Sequence, residues 1–257
     1  MSDSYKAELE FAVDTAWAAG RITLRYFQNG VHVDTKADES PVTAADREAE
    51  LAIRARLQQA YPEDGLVGEE FGQVPGASGR RWFIDPIDGT KSFVAGVPLF
   101  GVMLGLEAAD GRILAGAVYL PALDDMVFAA RGEGAWWNGR RARVSAVSRL
   151  ADATICYTSS TSFARQQREV AWQRLRQKVR LVRGWGDCYG HILVATGRAE
   201  AMLDPIMNPW DCGPLPVILD EAGGSFTDWQ GQTTIHGDDA VSTNGTLRDD
   251  ILRSLDA

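Results

Sequence analysis

Apolar positions recur at helical spacing near the start of the chain. The first series predicts a long amphipathic helix, and its members are Leu9, Val13, Trp17, Gly20, Leu24 and Phe27. A second helix is predicted to begin at Thr43, with Asp46 three residues later as in a capping box, and to end before Pro62. The positions expected to face the core in this second helix are Ala49, Ile53, Leu57 and Ala60.

From residue 65 onward the pattern changes to short strands. Aromatic and β-branched runs predict strands at 66–67, around Trp82, and at 101–107, 113–120 and 126–130. Asp110-Gly111 and Asn138-Gly139 are hairpin signals, which favour antiparallel pairing. After about Val144 the elements alternate, with helices at 171–178, 189–196, 210–223 and 246–255 and strands at 180–184, 199–203 and 226–228. We therefore expect two regions, 1–143 and 144–257, packed as one body.

Composition narrows the class of protein. The chain has 257 residues, of which 45% are hydrophobic and 24% charged, as expected for a folded protein with a substantial core. The formal net charge of -9 argues against a nucleic-acid partner. Because no apolar run could span a bilayer and no signal peptide is evident, we expect no membrane partner and a cytoplasmic location. The cysteines are odd in number and lack Cys-x-x-Cys spacing, which favours a reducing compartment and packing roles: Cys156, Cys188 and Cys212.

The segment Asp85-Pro86-Ile87-Asp88-Gly89-Thr90 carries the clearest chemistry. It joins a predicted buried strand to two carboxylates, a glycine and a hydroxyl. Pro86 restricts its own φ and the conformation of Asp85, which gives the bend a defined shape. Gly89 allows close approach of a ligand, and a helix that begins near Thr90 would offer free N–H groups to a phosphate. Since carboxylates are the hard ligands that divalent cations prefer, the loop is a candidate for both metal and phosphate binding. Taken alone, such a segment is more often a turn with two solvated aspartates.

Three further segments place acids at a strand end or a helix start. These are Gly68-Glu69-Glu70, Pro209-Trp210-Asp211, and Asp46 at the start of the second helix. Each has a simple alternative interpretation, as a solvated pair, a side chain that complements a helix dipole, or a helix cap. In combination with the Asp85 loop, they predict a carboxylate cluster.

With these motifs the chain resembles the inositol monophosphatase family of metal-dependent phosphatases, over residues 36–224. The segment Glu221-Ala222-Gly223-Gly224 adds to the resemblance. It implies an α/β fold, a layered αβαβα sandwich, and usually a homodimer. It also implies hydrolysis of small-molecule phosphate monoesters with Mg²⁺, at two or three ions per site, with Mn²⁺ as an alternative ion.

The resemblance further implies a set of metal ligands. Glu69, Asp85 and the carbonyl of Ile87 would hold the first metal, and Asp85, Asp88 and Asp211 the second. A third, weaker ion would lean on Glu69 and water. This ligand set suits Mg²⁺, which prefers hard oxygen ligands and keeps some of its waters.

Catalytic and phosphate-binding roles follow from the same resemblance. Thr90, hydrogen-bonded to Asp46, would orient and activate the attacking water, and Glu69 completes the expected catalytic set. The residues expected to bind phosphate or substrate nearby are Asp88, Gly89, Thr90 and Lys36. For Lys36, a solvated loop lysine is nearly as good an interpretation.

Substrate choice is expected to depend on Asp187 and Asp204. Asp204 lies seven residues before Asp211, where inositol phosphatases of the family place a substrate-contacting glutamate. The stretches around Asp187, Asp204 and Asp88 look more like the histidinol-phosphatase branch. Histidinol phosphate carries an ammonium group and an imidazole, which nearby carboxylates would attract. Alternatively, Asp187 only caps the helix predicted at 189–196, in which His191 is expected to be a packed residue rather than a base.

The sequence thus favours histidinol-phosphatase activity in histidine biosynthesis. The alternatives are an inositol-1-monophosphatase or a broad sugar phosphatase and, after these, a 3'(2'),5'-bisphosphate nucleotidase. A different class is a non-catalytic regulatory protein that keeps the fold and binds RNA polymerase or a nucleic acid. The complete acid set and the negative net charge argue against that last class.

Overall fold

Two helices near the start of the chain cover one face of a large sheet. The computed structural model describes residues 4–30, 33–35 and 41–256, and these helices are α1 (Lys6–Leu24) and α2 (Ala44–Ala60). Thr43 precedes α2 and forms with Asp46 the capping box that the sequence predicts. A short antiparallel pair, β1 (Val33–Thr35) and β2 (Pro41–Thr43), leads into α2.

The buried face of α1 includes the predicted Leu9 and Gly20 but not Trp17. Trp17 is 51% exposed, and the helix packs instead through Ala12, Ala16 and Ala19. A Cβ on Gly20 would lie only 2.5 Å from the ring of Tyr119, so the helix and the sheet approach too closely for a large side chain. The prediction that Ala60 faces the core is also wrong, because this last residue of α2 is exposed.

The large sheet has eight strands in the order β10-β9-β8-β7-β6-β5-β3-β4. Their bounds are β3 (Gly65–Gly68), β4 (Gly72–Val74), β5 (Arg81–Asp88), β6 (Gly101–Glu107), β7 (Ile113–Leu120), β8 (Asp125–Ala130), β9 (Gly134–Trp137) and β10 (Arg140–Arg141). Neighbouring strands are antiparallel except β3 and β5, which are parallel with Gly68 opposite Ile84. Because of this parallel pairing, the ends of β3 and β5 lie side by side.

A second sheet has five strands in the order β12-β11-β13-β15-β14. Their bounds are β11 (Thr154–Tyr157), β12 (Leu181–Arg183), β13 (Ala201–Asp204), β14 (Ser225–Thr227) and β15 (Ala240–Thr243). The other helices are α3 (Thr90–Val94), α4 (Ser160–Arg165), α5 (Glu169–Arg176), α6 (Asp187–Ala195), α7 (Pro209–Cys212), α8 (Leu215–Glu221) and α9 (Arg248–Leu255), with a 3-10 turn at Leu150–Asp152.

Three hydrophobic clusters show how the layers stack. One joins α1 and α2 to the near face of the eight-stranded sheet. A second fills the space between the two sheets and contains α6 and α8. A third lies between the five-stranded sheet and the outer helices α4, α5 and α9. The arrangement is the predicted αβαβα sandwich. The division into residues 1–143 and 144–257 stays a prediction.

The helix predicted at 210–223 is two helices, α7 and α8, which meet at Gly213-Pro214. Glycines opposite each other on β6 and β7 make room for this junction. A Cβ on Gly105 would lie 2.2 Å from the carbonyl carbon of Gly213, and one on Gly116 would lie 2.6 Å from Pro214. The junction therefore rests directly on the sheet and holds α7 beside the end of β5.

The helices and cysteines add two observations. Over the ranges that the structure describes, no helix is long and apolar enough to cross a membrane. All three cysteines are buried and free of disulfides.

Candidate active site

The end of β5 places two carboxylates at the centre of the site. Asp85 is only 1% exposed, and the pairing of β5 with β6 shifts register between Asp85 and Asp88. The backbone N–H of Ile87 donates to Asp85 Oδ1 at 3.0 Å and closes a tight turn around Pro86. An irregularity of this kind redirects side chains at a strand end.

The third carboxylate of the cluster comes from α7. Asn208 donates to Asp211 Oδ2 from its backbone N–H at 2.8 Å and from its side-chain amide at 3.1 Å, which fixes the orientation of the Asp211 carboxylate. Asp85, Asp88 and Asp211 each offer an oxygen, and these oxygens lie within 4.8 Å of one another.

Glu69 lies next to this cluster. Its backbone N–H donates to the carbonyl of Ile84 at 3.2 Å, which extends the pairing of β3 with β5 by one residue. Its carboxylate is close enough to raise the pKa of Asp85. Asp85, Asp88 and Asp211 thus converge from two segments of the chain, and Glu69, from a third segment, interacts with Asp85.

Burial and mutual repulsion raise the pKa values of the carboxyl groups in the cluster. The pKa of Asp85 is raised well above its usual value by burial and then by Glu69, Asp88 and Asp211. The pKa of Asp88 is raised by burial and then by Asp187 and Asp211, while the backbone N–H of Cys188, which donates to Asp88, opposes the shift. Converging carboxylates with raised pKa values are what a divalent cation would neutralise. The all-oxygen donor set therefore fits Mg²⁺ or Mn²⁺.

A glycine turn next to the carboxylates forms the candidate phosphate-binding loop. Gly89 has φ 83° and ψ 38°, a left-handed conformation that favours glycine, and α3 begins at the following residue. A Cβ on Gly89 would lie 3.0 Å from the carbonyl oxygen of Leu99 and 3.1 Å from Asp187 Oδ2. The turn is thus closed in on both sides, and only a glycine fits it without strain.

Asp46 and Thr90 do not form the expected hydrogen bond. The Thr90 hydroxyl donates to the carbonyl of Ile87 at 3.1 Å. Thr43 donates to Asp46 Oδ2 from its backbone N–H at 2.8 Å and from its hydroxyl at 2.6 Å. Among the described residues Asp46 Oδ1 is buried and has no partner. The expectation was wrong because the capping box holds one oxygen of Asp46 and the local turn holds the Thr90 hydroxyl.

The alternative role of Asp187 as a helix cap is also wrong. α6 begins at Asp187 itself, after Gly186, and its start has no side-chain cap within the described part of the chain. Asp187 has φ 54°, which is unusual for a residue other than glycine. Burial raises the pKa of Asp187 to about 6, while the charge of Lys91 lowers it. Because its Oδ2 would lie 3.1 Å from a Cβ on Gly89, the Asp187 carboxylate lies at the edge of the candidate phosphate-binding loop.

Asp204 supports Asp187 through a residue that sequence reasoning missed. Thr158 donates its hydroxyl to the Asp204 carboxylate and accepts the backbone N–H of Asp187 at 2.8 Å. Asp204 itself is 5% exposed. Thr158 follows β11, a strand that the apolar pattern did not predict, so no sequence signal pointed to it.

Two residues named in the sequence analysis remain, Lys36 and His191. Lys36 lies outside the described residues. His191 is buried and packed as expected, with Nδ1 2.7 Å from the hydroxyl of Ser242. Sequence reasoning also missed Glu50, a buried acid on the core face of α2. Its position three residues before Ile53, among apolar neighbours, was the signal that could have found it.

A layered αβαβα fold with an acid cluster that could hold a metal ion is typical of metal-dependent phosphatases. The sequence profile of the inositol monophosphatase family matches residues 5–256, and the chain belongs to that family. Its members act on small-molecule phosphate monoesters, and this chain is a phosphatase.

Individual relatives cover almost the whole chain. It is 44% identical to the histidinol-phosphatase of Chlorobaculum parvum over 96% of both chains. It is 38% identical to the histidinol-phosphatase of Mycobacterium tuberculosis over 97% of this chain and 98% of the relative. The solved structure of the extragenic suppressor protein suhB from Bartonella henselae superposes with a TM-score of 0.88 at 31% identity, covering 97% of this chain and 98% of that one.

Proposed function

We propose that the protein hydrolyses L-histidinol phosphate to L-histidinol and phosphate, as a Mg²⁺-dependent step of histidine biosynthesis. The observation that carries this proposal is the Asp187 carboxylate at the edge of the candidate phosphate-binding loop, with Asp204 behind it. The names of the two relatives from Chlorobaculum parvum and Mycobacterium tuberculosis support it. We place the reaction in the cytoplasm and expect a homodimer.

The charge of the substrate explains why Asp187 matters. Histidinol phosphate carries an ammonium group and a titratable imidazole next to its phosphate ester. A partly buried carboxylate near the leaving group attracts such a cation more strongly than it would in water. An inositol ring offers only hydroxyl groups and would gain less from a second acid at this position.

The metal ligands in this proposal are Asp85, Asp88, Asp211 and Glu69, with the carbonyl of Ile87. Mg²⁺ held there supplies positive charge that offsets the charge on the phosphate oxygens and on the leaving alkoxide. The carboxylates contribute the hard ligands, and the burial of Asp85 reduces screening by water at the centre of the cluster.

Asp46 and the Gly89 turn carry the remaining steps. Burial raises the pKa of Asp46 to about 6, and its Oδ1 has no partner among the described residues. At neutral pH this oxygen is mostly ionised, so it can accept a proton from the attacking water. The backbone N–H groups of Gly89 and Thr90 would donate to phosphate oxygens, because the first N–H groups of a helix lack intrahelical partners.

Phosphate release from four esters tests the substrate. Histidinol phosphate, inositol 1-phosphate, fructose 1,6-bisphosphate and adenosine 3',5'-bisphosphate are compared in parallel with Mg²⁺. We expect the highest kcat/KM for histidinol phosphate. A clear preference for another ester would refute the substrate proposal, and no release from any ester would favour the non-catalytic regulatory class.

The variant Asp187→Asn tests the residue that carries the proposal. Loss of a charge-assisted contact should raise KM for histidinol phosphate about 10-fold and change KM for inositol 1-phosphate much less. Asp220→Asn is the control for net charge, because Asp220 is an exposed acid paired with Arg131. Equal effects of Asp187→Asn on both esters would leave Asp187 with no role in substrate choice.

A further inference from the structure

An ion pair beneath the Glu69 loop is not explained by the acid cluster. Glu50 on α2 is fully buried, and Arg54, one turn later, is 8% exposed. Arg54 Nε donates to Glu50 Oε1 at 2.6 Å. Taking two charges out of water costs free energy, and their mutual attraction offsets this cost only where the hydrogen bonds of the pair are well satisfied.

Among the described residues, the other hydrogen bonds of this pair go to the turn that carries Glu69 and to the first residue of β4. Glu50 Oε2 accepts the backbone N–H of Glu70 at 2.7 Å, and Oε1 accepts that of Phe71 at 3.2 Å. Arg54 donates to the carbonyl of Gly72 and lies 6.0 Å from the centre of the Phe71 ring. One carboxylate and one guanidinium thus hold three consecutive residues of the turn.

Gly68 shows how closely the pair fits under the turn. A Cβ at this position would lie 2.1 Å from Glu50 Oε1 and 2.7 Å from a terminal nitrogen of Arg54. Any side chain here would push the pair away from the turn. The glycine that precedes Glu69 is therefore required by Glu50 and Arg54, and a backbone with positive φ is not the reason.

The backbone of Glu69 is consequently held from two sides. Its own N–H donates to Ile84 in β5, and the next two N–H groups of the turn donate to Glu50. Fixing three successive peptide groups leaves the Cα of Glu69 little freedom to rotate. Its carboxylate is thereby directed towards Asp85, whose pKa it raises.

We infer that Glu50, paired with Arg54, is a positioning residue that orients the Glu69 carboxylate for the first metal. This inference rests on the proposed metal-dependent function. Since Arg54 neutralises Glu50, the pair anchors the turn without adding a further uncompensated negative charge next to the cluster.

The variant Glu50→Gln tests the inference. Glutamine keeps the shape but offers one acceptor oxygen instead of two, so at least one bond to the turn and the ion pair are lost. We expect the Mg²⁺ concentration for half-maximal activity to rise about 10-fold or more, as is typical when the support of a metal ligand is removed. Activity at saturating Mg²⁺ should recover to near that of the unmodified protein.

A binding measurement separates this inference from the proposed function. Mn²⁺ titration followed by electron paramagnetic resonance, without substrate, should show one weakened site in Glu50→Gln. If the unmodified protein binds no Mn²⁺ and releases no phosphate, the proposed function fails. If the unmodified protein binds Mn²⁺ and releases phosphate, but Glu50→Gln binds Mn²⁺ equally well, only the positioning role of Glu50 fails.

Asp64→Asn is the matched control for loss of a buried pair. The Asp64 side chain is 3% exposed and lies 2.9 Å from Arg80 and 3.0 Å from the Trp82 indole nitrogen. It lies near the starts of β3 and β5, whereas the expected metal ligands lie at the ends of these strands. Asp64→Asn should lower the melting temperature and leave Mn²⁺ affinity unchanged. An equal loss of Mn²⁺ affinity in Asp64→Asn would reduce the effect of Glu50→Gln to general destabilisation and overturn the inference.

A double-mutant cycle gives a second readout and covers poor folding of Glu50→Gln. If Glu50 acts through Glu69, adding Glu50→Gln to Glu69→Ala should weaken Mn²⁺ binding no further. Should Glu50→Gln not fold, Arg54→Lys replaces it in the same cycle, because lysine keeps the charge but cannot reach both partners with a planar fork. Additive losses in the cycle would contradict the inference.

Discussion

Replacing Asp88 with asparagine should stabilise the metal-free protein and abolish its activity. Asp88 lies in a cluster whose three carboxylate oxygens are all within 4.8 Å of one another. Asparagine has nearly the same shape and can still accept the N–H of Cys188 that donates to Asp88. The substitution therefore removes one negative charge and little packing.

The size of the effect follows from the distance between the carboxylates. At 4.8 Å, two unit charges repel by about 3 kcal/mol at an effective dielectric constant of 20. Protonation relieves part of this cost, because burial and the neighbouring acids raise the pKa of Asp88. We therefore expect Asp88→Asn to gain up to about 3 kcal/mol in free energy of unfolding at pH 8 without metal.

The pH dependence has a definite sign. A carboxyl with a raised pKa in the folded protein binds a proton more readily when folded than when unfolded, so its stabilising effect is lost as pH rises. The metal-free protein should thus become less stable from pH 5 to pH 8 through this cluster. The advantage of Asp88→Asn should grow over the same interval.

Urea unfolding followed by tryptophan fluorescence measures the effect, in EDTA and in excess Mg²⁺ at fixed protein concentration. Mg²⁺ should stabilise the unmodified protein much more than the variant, and phosphate release by the variant should fall to a small fraction. A variant that is less stable than the unmodified protein in EDTA at pH 8 would refute the argument from repulsion. Near-normal turnover would refute the role of Asp88 as a ligand.

Two other predictions concern buried positions outside the acid cluster. Burial lowers the pKa of His191 to about 3. Because an unfolded histidine titrates near pH 6.5, protonation below that pH favours the unfolded state, and the contribution of His191 to the free energy of unfolding should be smaller by about 2 kcal/mol at pH 5 than at pH 7. The difference in free energy of unfolding between the unmodified protein and His191→Gln should shrink accordingly, and a constant difference would contradict this. Gly105→Ala should displace Gly213 and α7, lowering stability by about 1–3 kcal/mol or more and weakening Mg²⁺ binding. Gly184→Ala is its control, because the added Cβ would lie 3.8 Å from the Tyr157 ring, and equal losses in both variants would refute the packing argument.

Local patterns in the sequence predicted local structure well. The Thr43 capping box is confirmed, and so is a helix that begins at Thr90 after a turn at Gly89. These features depend on residues a few positions apart, whose capping and backbone preferences act in any context. The layered fold, in contrast, came only from the resemblance to a family, because periodicity does not determine which sheet faces which helix.

The errors have different physical causes. Trp17 has the spacing of a core residue, but it is exposed, and the close approach of α1 to the sheet at Gly20 leaves no room there for a side chain. Gly213-Pro214 lies inside the segment predicted as one helix, yet the chain divides there into α7 and α8, because proline lacks the backbone N–H that a continuous helix needs. The Thr90–Asp46 hydrogen bond does not form because each side chain has a partner three residues away in the chain.

The acid cluster itself combines proximity that the sequence predicts with proximity that depends on the fold. Asp85 and Asp88 belong to one short segment, so their proximity could be predicted from the sequence. Glu69 joins them only because β3 and β5 pair in parallel, with Gly68 opposite Ile84, and that register is a property of the whole sheet. Residues that support the site are a further step away in the chain and bond to backbone rather than to the expected ligands. A single sequence can therefore indicate the chemistry of this site, while the arrangement that fixes its geometry requires the folded structure.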